Sequence, residues 1–166
     1  MRNLIGDKNS FGIEYEIQSI EYYIGTSKPY VLGHVRLWLE GKYIGAYEDI
    51  DILGVASWAL EGGESMKECQ FLNMTAENIY ELMITEGIPG VCHCDLGPPT
   101  DDFVTLFYVY NGKVHFVWKI VDEPCFQYPD YPKDVQSAAV SVEEYRRVVS
   151  EFVRIVEDAR KQGVQK

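Results

Sequence analysis

The residues best suited to chemistry in this sequence form the run Cys92-His93-Cys94. Thiolate and imidazole groups bind zinc, and Cys69 or Cys125 would complete a set of four ligands. A zinc knuckle, however, has at least two residues between its cysteines, and adjacent residues of a strand point to opposite faces. The spacing therefore does not predict a metal site, and we expect neither a metal nor another cofactor.

A cysteine can also serve as a nucleophile when a histidine lies close enough to take its proton. The chain has four cysteines and three histidines, but no stretch around a cysteine matches the signature of a known cysteine-enzyme family. Buried thiols usually pack as small apolar groups. We assign no catalytic residue and keep a small cytosolic enzyme with a Cys/His pair as the alternative. The side chains considered for such a pair are Cys92, Cys94, Cys125, His34, His93 and His115.

Carboxylates are the other abundant reactive groups, and they occur in short runs along the chain. Two of them facing each other across a cleft would suit glycoside hydrolysis, so a carboxylate pair is a second form of the enzyme alternative. Acidic runs are more often solvated faces. The sequence has no phosphate-binding glycine-rich loop, no serine nucleophile elbow and no His-Glu-x-x-His helix. It therefore favours binding over catalysis.

The charge balance indicates what kind of partner to expect. There are 26 acidic and 15 basic residues, for a formal net charge of −11. This argues against nucleic acid or an anionic membrane as the main partner and favours either a cationic partner or a charge that serves solubility alone. Twelve tyrosines and three tryptophans supply rings that can anchor a protein interface with acidic groups around them. The predicted partner-binding residues are Glu48, Asp49, Asp51, Glu61, Glu64, Asp101, Asp102, Tyr128, Asp130 and Tyr131.

Length and composition are those of one globular domain, which we predict to span residues 1–166. The chain is 46% hydrophobic and 25% charged, near the average for folded domains. Its first residues lack the apolar run of a signal peptide, and no window reaches the ~18 apolar residues of a membrane span. A cytoplasmic protein with reduced thiols is expected. Nothing in the sequence sets its oligomeric state.

The first part of the chain must form strands. Apolar residues alternate with polar ones from Phe11 to Ile17, and the alternation changes phase near Ser19, which indicates a bulge. A second strand is predicted at Val31–Leu39. A two-residue turn after it leads into a third strand at Lys42–Tyr47.

The middle of the chain predicts two helices and a hairpin. Helical patterns cover Asp49–Leu60, which Gly62-Gly63 would end, and Ala76–Thr85, with Thr75 as its N-cap. The hairpin turns at Asn111-Gly112, a favoured type I′ pair. One face of the hairpin is almost wholly apolar and is assigned to the core. The other is amphipathic and is predicted to be partly exposed.

The C-terminal part predicts a loop followed by a long helix. Prolines and aromatic residues fill Asp122–Val140, and the sequence from Ser141 begins with a capping box and continues with apolar residues at helical spacing. The predicted fold class is α+β: an antiparallel β-sheet with helices packed on one face, including a C-terminal helix.

The N-terminal third resembles the immunity proteins of bacterial polymorphic-toxin and contact-dependent growth inhibition systems, in particular the immunity protein 42 (Imm42) type. The resemblance rests on Ile5-Gly6-Asp7, on Phe11–Ile17 and on Gly33–Gly45. It implies a bacterial, cytoplasmic protein that binds and blocks a cognate toxin domain and has no catalytic activity. Acidic members of this class often face basic nuclease toxins. The motifs are structural, so the resemblance assigns no catalytic residue.

Overall fold

The structure is a computed structural model that describes residues 1–22, 28–64, 68–69 and 74–164. Within these residues the chain forms two antiparallel sheets and three α-helices, which confirms the α+β class and divides the expected sheet in two. The first sheet contains β1 (Asn3–Gly6), β2 (Phe11–Glu21), β3 (Tyr30–Leu39), β4 (Lys42–Ile44) and β5 (Asp51–Ile52). The second contains β6 (Cys92–His93), β7 (Phe103–Tyr110), β8 (Lys113–Ile120) and β9 (Gln136–Ser141). The helices are α1 (Leu53–Glu64), α2 (Ala76–Thr85) and α3 (Val142–Val164).

The first sheet follows the sequence prediction closely. β2 pairs with β3, and the register shifts between Ile17 and Ser19, so the predicted irregularity is confirmed. Glu40 and Gly41 have φ values of 49° and 80° in the turn between β3 and β4. Two successive positive φ values define the turn that suits the twist of a tight hairpin. The register of β3 and β4 is the predicted one.

The hairpin of the second sheet also has its predicted register, and the face predicted to be partly exposed is so at its margins but is covered at its centre. Leu106, Tyr108 and Val117 lie on the face expected to be partly exposed, and all three are buried. They pack in a separate apolar cluster with Ile79 of α2. Helix α2 and the segment after it cover this face of the sheet. The local pattern did not show this, because the cover comes from elsewhere in the chain.

Helix α1 begins and ends later than the sequence predicted. Asp51 and Ile52, expected inside the helix, form β5 and pair with β3. The helix then continues through Gly62 and Gly63, which were expected to end it. A Cβ at Gly63 would lie 2.4 Å from the hydroxyl oxygen of Tyr145. The glycine therefore allows a close approach of α1 to α3 and is not a terminator.

The predicted C-terminal loop is shorter than expected, because its last residues form β9 and pair with β8. The start of α3 is as predicted. The Ser141 hydroxyl oxygen accepts a hydrogen bond from the amide of Glu144 at 3.1 Å, as an N-cap should. Among the described residues, no helix has both the length and the apolar character needed to cross a membrane.

One core joins the two sheets to α1 and α3. The ring of Phe11, from β2, stacks on Phe116 of β8 at 5.8 Å and on Tyr145 of α3 at 5.4 Å between centroids. The Tyr145 hydroxyl donates a hydrogen bond to the Leu60 carbonyl of α1 at 2.6 Å. Three aromatic residues thus fix both sheets and both helices relative to one another.

Alanine substitutions at two neighbouring glycines of α1 should change the free energy of unfolding in opposite directions. Gly63→Ala is expected to destabilise the protein by about 1–3 kcal/mol, because the new methyl group overlaps two buried rings that cannot withdraw. Gly62→Ala has open space around its Cβ and should stabilise by roughly 0.5–1 kcal/mol, the usual gain of alanine over glycine in a helix. Urea unfolding of both variants measures the difference. Equal effects of the two substitutions would contradict the packing described for Gly63.

Candidate partner-binding surface

Several carboxylates from separate segments of the chain lie near one another around Asp51. Burial raises the pKa of Asp51, and the charges of Asp49, Asp95 and Asp101 raise it further. The geometry agrees, because Asp51 Oδ2 lies against Gly97, which is between Asp95 and Asp101 in the chain, and a Cβ at Gly97 would be 2.0 Å from that atom. The fold therefore brings together three carboxylates named from the sequence with Asp95, which was not named. We call Asp49, Asp51, Asp95 and Asp101 the acidic cluster. Glu48, the exposed neighbour of Asp49, extends it.

Asp51 occupies a costly position within the acidic cluster. Its Oδ2 atom is buried and has no hydrogen-bond partner among the residues the structure describes. The backbone of Gly97 lies against this atom, and a Cβ at Gly97 would be 2.0 Å from Oδ2. Gly97 also has a φ of 94°, which favours glycine. A carboxylate that is partly desolvated and surrounded by like charges destabilises the fold. The arrangement is typical of a site kept for function.

No cation among the described residues offsets the negative charge of the acidic cluster. In the part of the chain that the structure describes, none of its carboxylates forms an ion pair. Several of the basic side chains pair elsewhere. Arg36 and Lys8 donate to Glu14 on the outer face of the first sheet, at 2.6 and 3.2 Å. Burial acts to raise the pKa of Glu14, but the hydrogen bonds from Trp38 and Arg36 hold it below its usual value. These cations therefore do not neutralise the acidic cluster.

Asp102 must be removed from the predicted partner-binding residues, because its side chain is buried. Its carboxylate accepts hydrogen bonds from the amides of Cys125 and Phe126 at 2.6 and 2.9 Å and from the Tyr128 hydroxyl at 2.9 Å. Burial acts to raise its pKa, but these hydrogen bonds lower it overall. Asp102 fastens the loop between β8 and β9, while Asp101 beside it is exposed.

Tyr128 and Tyr131 belong to the same loop and are half-buried. The Tyr131 hydroxyl donates to the Tyr43 carbonyl at 2.5 Å and accepts from the Trp118 indole at 2.8 Å. Burial raises the pKa of both tyrosines. Both hydroxyls form hydrogen bonds within the protein, so neither is free to bond to a partner. Asp130 between them is exposed and has a φ of 62°.

Helix α1 presents a second surface next to the acidic cluster. Leu53, Ala56 and Leu60 face the core, whereas Val55 and Trp58 are exposed. The helical pattern predicted for Asp49–Leu60 includes Trp58 without assigning it to either face. Helical periodicity could have separated it, since a residue five positions after Leu53 lies about 140° away around the axis. Two predicted acids lie on the same helix: Glu61 is exposed, and Glu64 ends the helix with a side chain outside the described part.

The thiols of Cys69, Cys94 and Cys125 are poorly suited to catalysis. Burial, and then the charge of Asp95, raise the pKa of Cys94 to about 12. The charge of Asp102 raises the pKa of Cys125, and burial raises that of Cys69. A thiol with a raised pKa carries little of the thiolate that attacks a substrate or binds a metal. At these three positions the environment disfavours the Cys/His alternative.

Two of the three histidines, His34 and His115, are engaged in structure, whereas His93 is exposed on β6. His34 donates from Nδ1 to the Asp49 carbonyl at 2.8 Å and stacks on Tyr47. His115 stacks on Tyr108, as expected for a residue opposite it in the hairpin, and donates to a carbonyl at 3.3 Å. Over the described ranges, no group of three or more histidine, cysteine or acidic residues is arranged to hold a metal ion.

Comparison with known families identifies the chain. The family model described as immunity protein 42 matches residues 1–155. The chain belongs to the immunity protein 42 family. The match extends well beyond the N-terminal third that carries the sequence resemblance, through both sheets and into α3. A search of the curated proteins gave no match. In this immunity protein, then, the acidic cluster and the exposed face of α1 are the surfaces to consider for a partner.

Removing the charge of Asp102 should release the loop between β8 and β9. Asp102→Asn is expected to cost about 2 kcal/mol at pH 7, because a neutral amide accepts the three buried hydrogen bonds poorly. The pKa of Asp102 is lowered in the fold, so its stabilisation is present above the unfolded pKa of ~3.9 and is lost as pH falls through the lower folded value. Denaturant unfolding at several pH values measures this.

Asp101→Asn is the matched control for that experiment, since the residue is adjacent and exposed. It should change stability by less than about 0.5 kcal/mol. If Asp102→Asn were equally harmless, or if its effect persisted unchanged at pH 2, the role of the carboxylate in holding the loop would be wrong.

Proposed function

We propose that this immunity protein neutralises a cognate toxin domain by binding it directly through its acidic surface. The observation that carries the proposal is the acidic cluster: carboxylates gathered from separate segments, without ion pairs among the described residues, in a chain of net charge −11. A negative surface of this kind raises the association rate with a positively charged partner and repels a negative one. The partner is therefore expected to present a basic surface.

A basic nuclease domain fits this requirement. A nuclease must bind the phosphate backbone, so its substrate groove carries positive charge. A protein that sets aspartates and glutamates against that groove competes directly with the nucleic acid. Inhibition then requires a complementary surface and no catalytic group, in agreement with the raised pKa values of Cys69, Cys94 and Cys125. We propose that the protein acts in the cytoplasm, where its thiols stay reduced and a nuclease toxin would meet its substrate.

The direct test uses the toxin domain encoded immediately upstream of this chain. The two proteins, co-expressed, should purify as a stable complex, and cells producing the toxin should grow only when the immunity protein is present. The association rate measured by stopped flow should fall steeply as salt is raised from 50 to 500 mM, because long-range attraction is screened. Absence of both the complex and the protection would refute the proposal.

The acidic cluster should also show a trade-off between binding and stability. Asp51→Asn removes a charge whose pKa is raised by burial and by neighbouring carboxylates, so it should stabilise the free protein at pH 7 while slowing association with the toxin. Because the folded pKa is raised, the wild type recovers this stability as pH falls and Asp51 becomes protonated, and the difference between the two proteins shrinks.

Asp134→Asn has the same change in net charge at an exposed position of the loop before β9. It should leave stability and association nearly unchanged. Thermal unfolding and stopped-flow association of the three proteins check both effects. If Asp134→Asn slowed association as much as Asp51→Asn, net charge alone would explain the binding, and the acidic cluster would have no special place in it.

A further inference from the structure

The exposed face of α1 carries more apolar surface than a solvated helix needs. Trp58 is 76% exposed and Val55 is 41% exposed, and Ile50, just before β5, is 43% exposed. Single exposed apolar residues are common on proteins, but Val55 and Trp58 are three positions apart on one helix and so are neighbours in one apolar patch. The other two tryptophans differ from Trp58, since Trp118 is fully buried and Trp38 hydrogen-bonds to Glu14.

Acidic residues border this patch. Glu48 and Asp49 precede it in the chain, and Glu61 lies one helical turn beyond Trp58 on the same exposed face. With a rise of 1.5 Å per residue, Trp58 is about 8 Å along the helix axis from Leu53, which directly follows β5. Helix α1 thus begins next to Asp51 of the acidic cluster, which lies in β5. An aromatic anchor with a charged rim is the usual composition of a binding centre between proteins.

Helix α1 holds the anchor rigidly. Its opposite face is buried through Leu53, Ala56 and Leu60, and the Leu60 carbonyl accepts the hydroxyl of Tyr145. An anchor that is already in place loses little conformational entropy when the partner arrives. The backbone that carries Trp58 is thus positioned before binding.

We infer that this face of α1 is the centre of the toxin-binding surface, and that the toxin places a lysine or arginine side chain on the Trp58 indole. The inference rests on the proposed function and adds the surface and the contacting group. A cation on an indole face gains a cation–π interaction, and the surrounding carboxylates attract the same charge. A second copy of this chain would instead bring Glu61 and Asp49 against their own equivalents, so charge complementarity selects a basic partner.

The test compares Trp58→Ala with Ile84→Ala in the full chain, using the upstream toxin domain as the probe. Ile84 is 55% exposed on α2 and provides an apolar control on another surface. Trp58→Ala should weaken the complex at least tenfold, as for an aromatic hot spot, whereas Ile84→Ala should change affinity less than threefold. Both variants should unfold at the temperature of the wild type. Trp58→Phe, which keeps an aromatic face, should restore part of the lost affinity.

The outcomes separate this inference from the proposed function. If the wild type binds the toxin and Trp58→Ala binds it equally well, the α1 surface is wrong while the proposed function stands. If the wild type itself does not bind, the proposed function fails. Analytical ultracentrifugation of the free protein adds a third result: a dimer that Trp58→Ala dissociates would assign the patch to a second copy and overturn the inference.

Discussion

The stacking of Phe11, Phe116 and Tyr145 is the contact on which the rest of the structure depends. The three rings come from β2, β8 and α3, so they meet only when both sheets and the C-terminal helix are in place. Most of the apolar area of each ring is buried by the other elements, and no sheet alone would bury its inner face. The hydroxyl of Tyr145 then positions α1 through Leu60. The orientation of Trp58 toward solvent is thus a consequence of a contact in the core.

Local signals in the sequence predicted the parts of the fold that are locally determined. Asn111-Gly112 requires positive φ at both positions and so sets the hairpin register, and the Ser141 hydroxyl caps α3 within four residues of chain. The errors arose where distant segments meet. Asp51 and Ile52 form a strand because β3 offers an unpaired edge. Gly63 lies within α1 rather than ending it, and its lack of a side chain leaves room for a ring of α3.

The sequence predicted the chemical character of the candidate site but not which residues belong to it. Acidic and aromatic composition indicated a protein-binding surface, yet it could not separate Asp101, which is exposed, from Asp102, which is buried under the following loop. The two adjacent residues are both aspartates but lie in opposite environments. Only the three-dimensional path of the chain determines which of them is exposed. Asp95 joins the acidic cluster from the segment after β6, which is more than 40 residues from Asp51 in the chain. The exposure of Trp58 could have been predicted, because its angular position on α1 follows from the spacing of the buried residues.

The two faces of α1 are under different structural constraints. Positions 53, 56 and 60 fill the shared core, whereas positions 55, 58 and 61 are exposed to solvent. A substitution on the outer face alters what the helix presents to another protein and leaves the packing beneath it intact. Binding specificity and foldability can then be selected separately. With the toxin contact proposed above, a few codons of this helix could change to match a new toxin while the codons of the core stay under constraint.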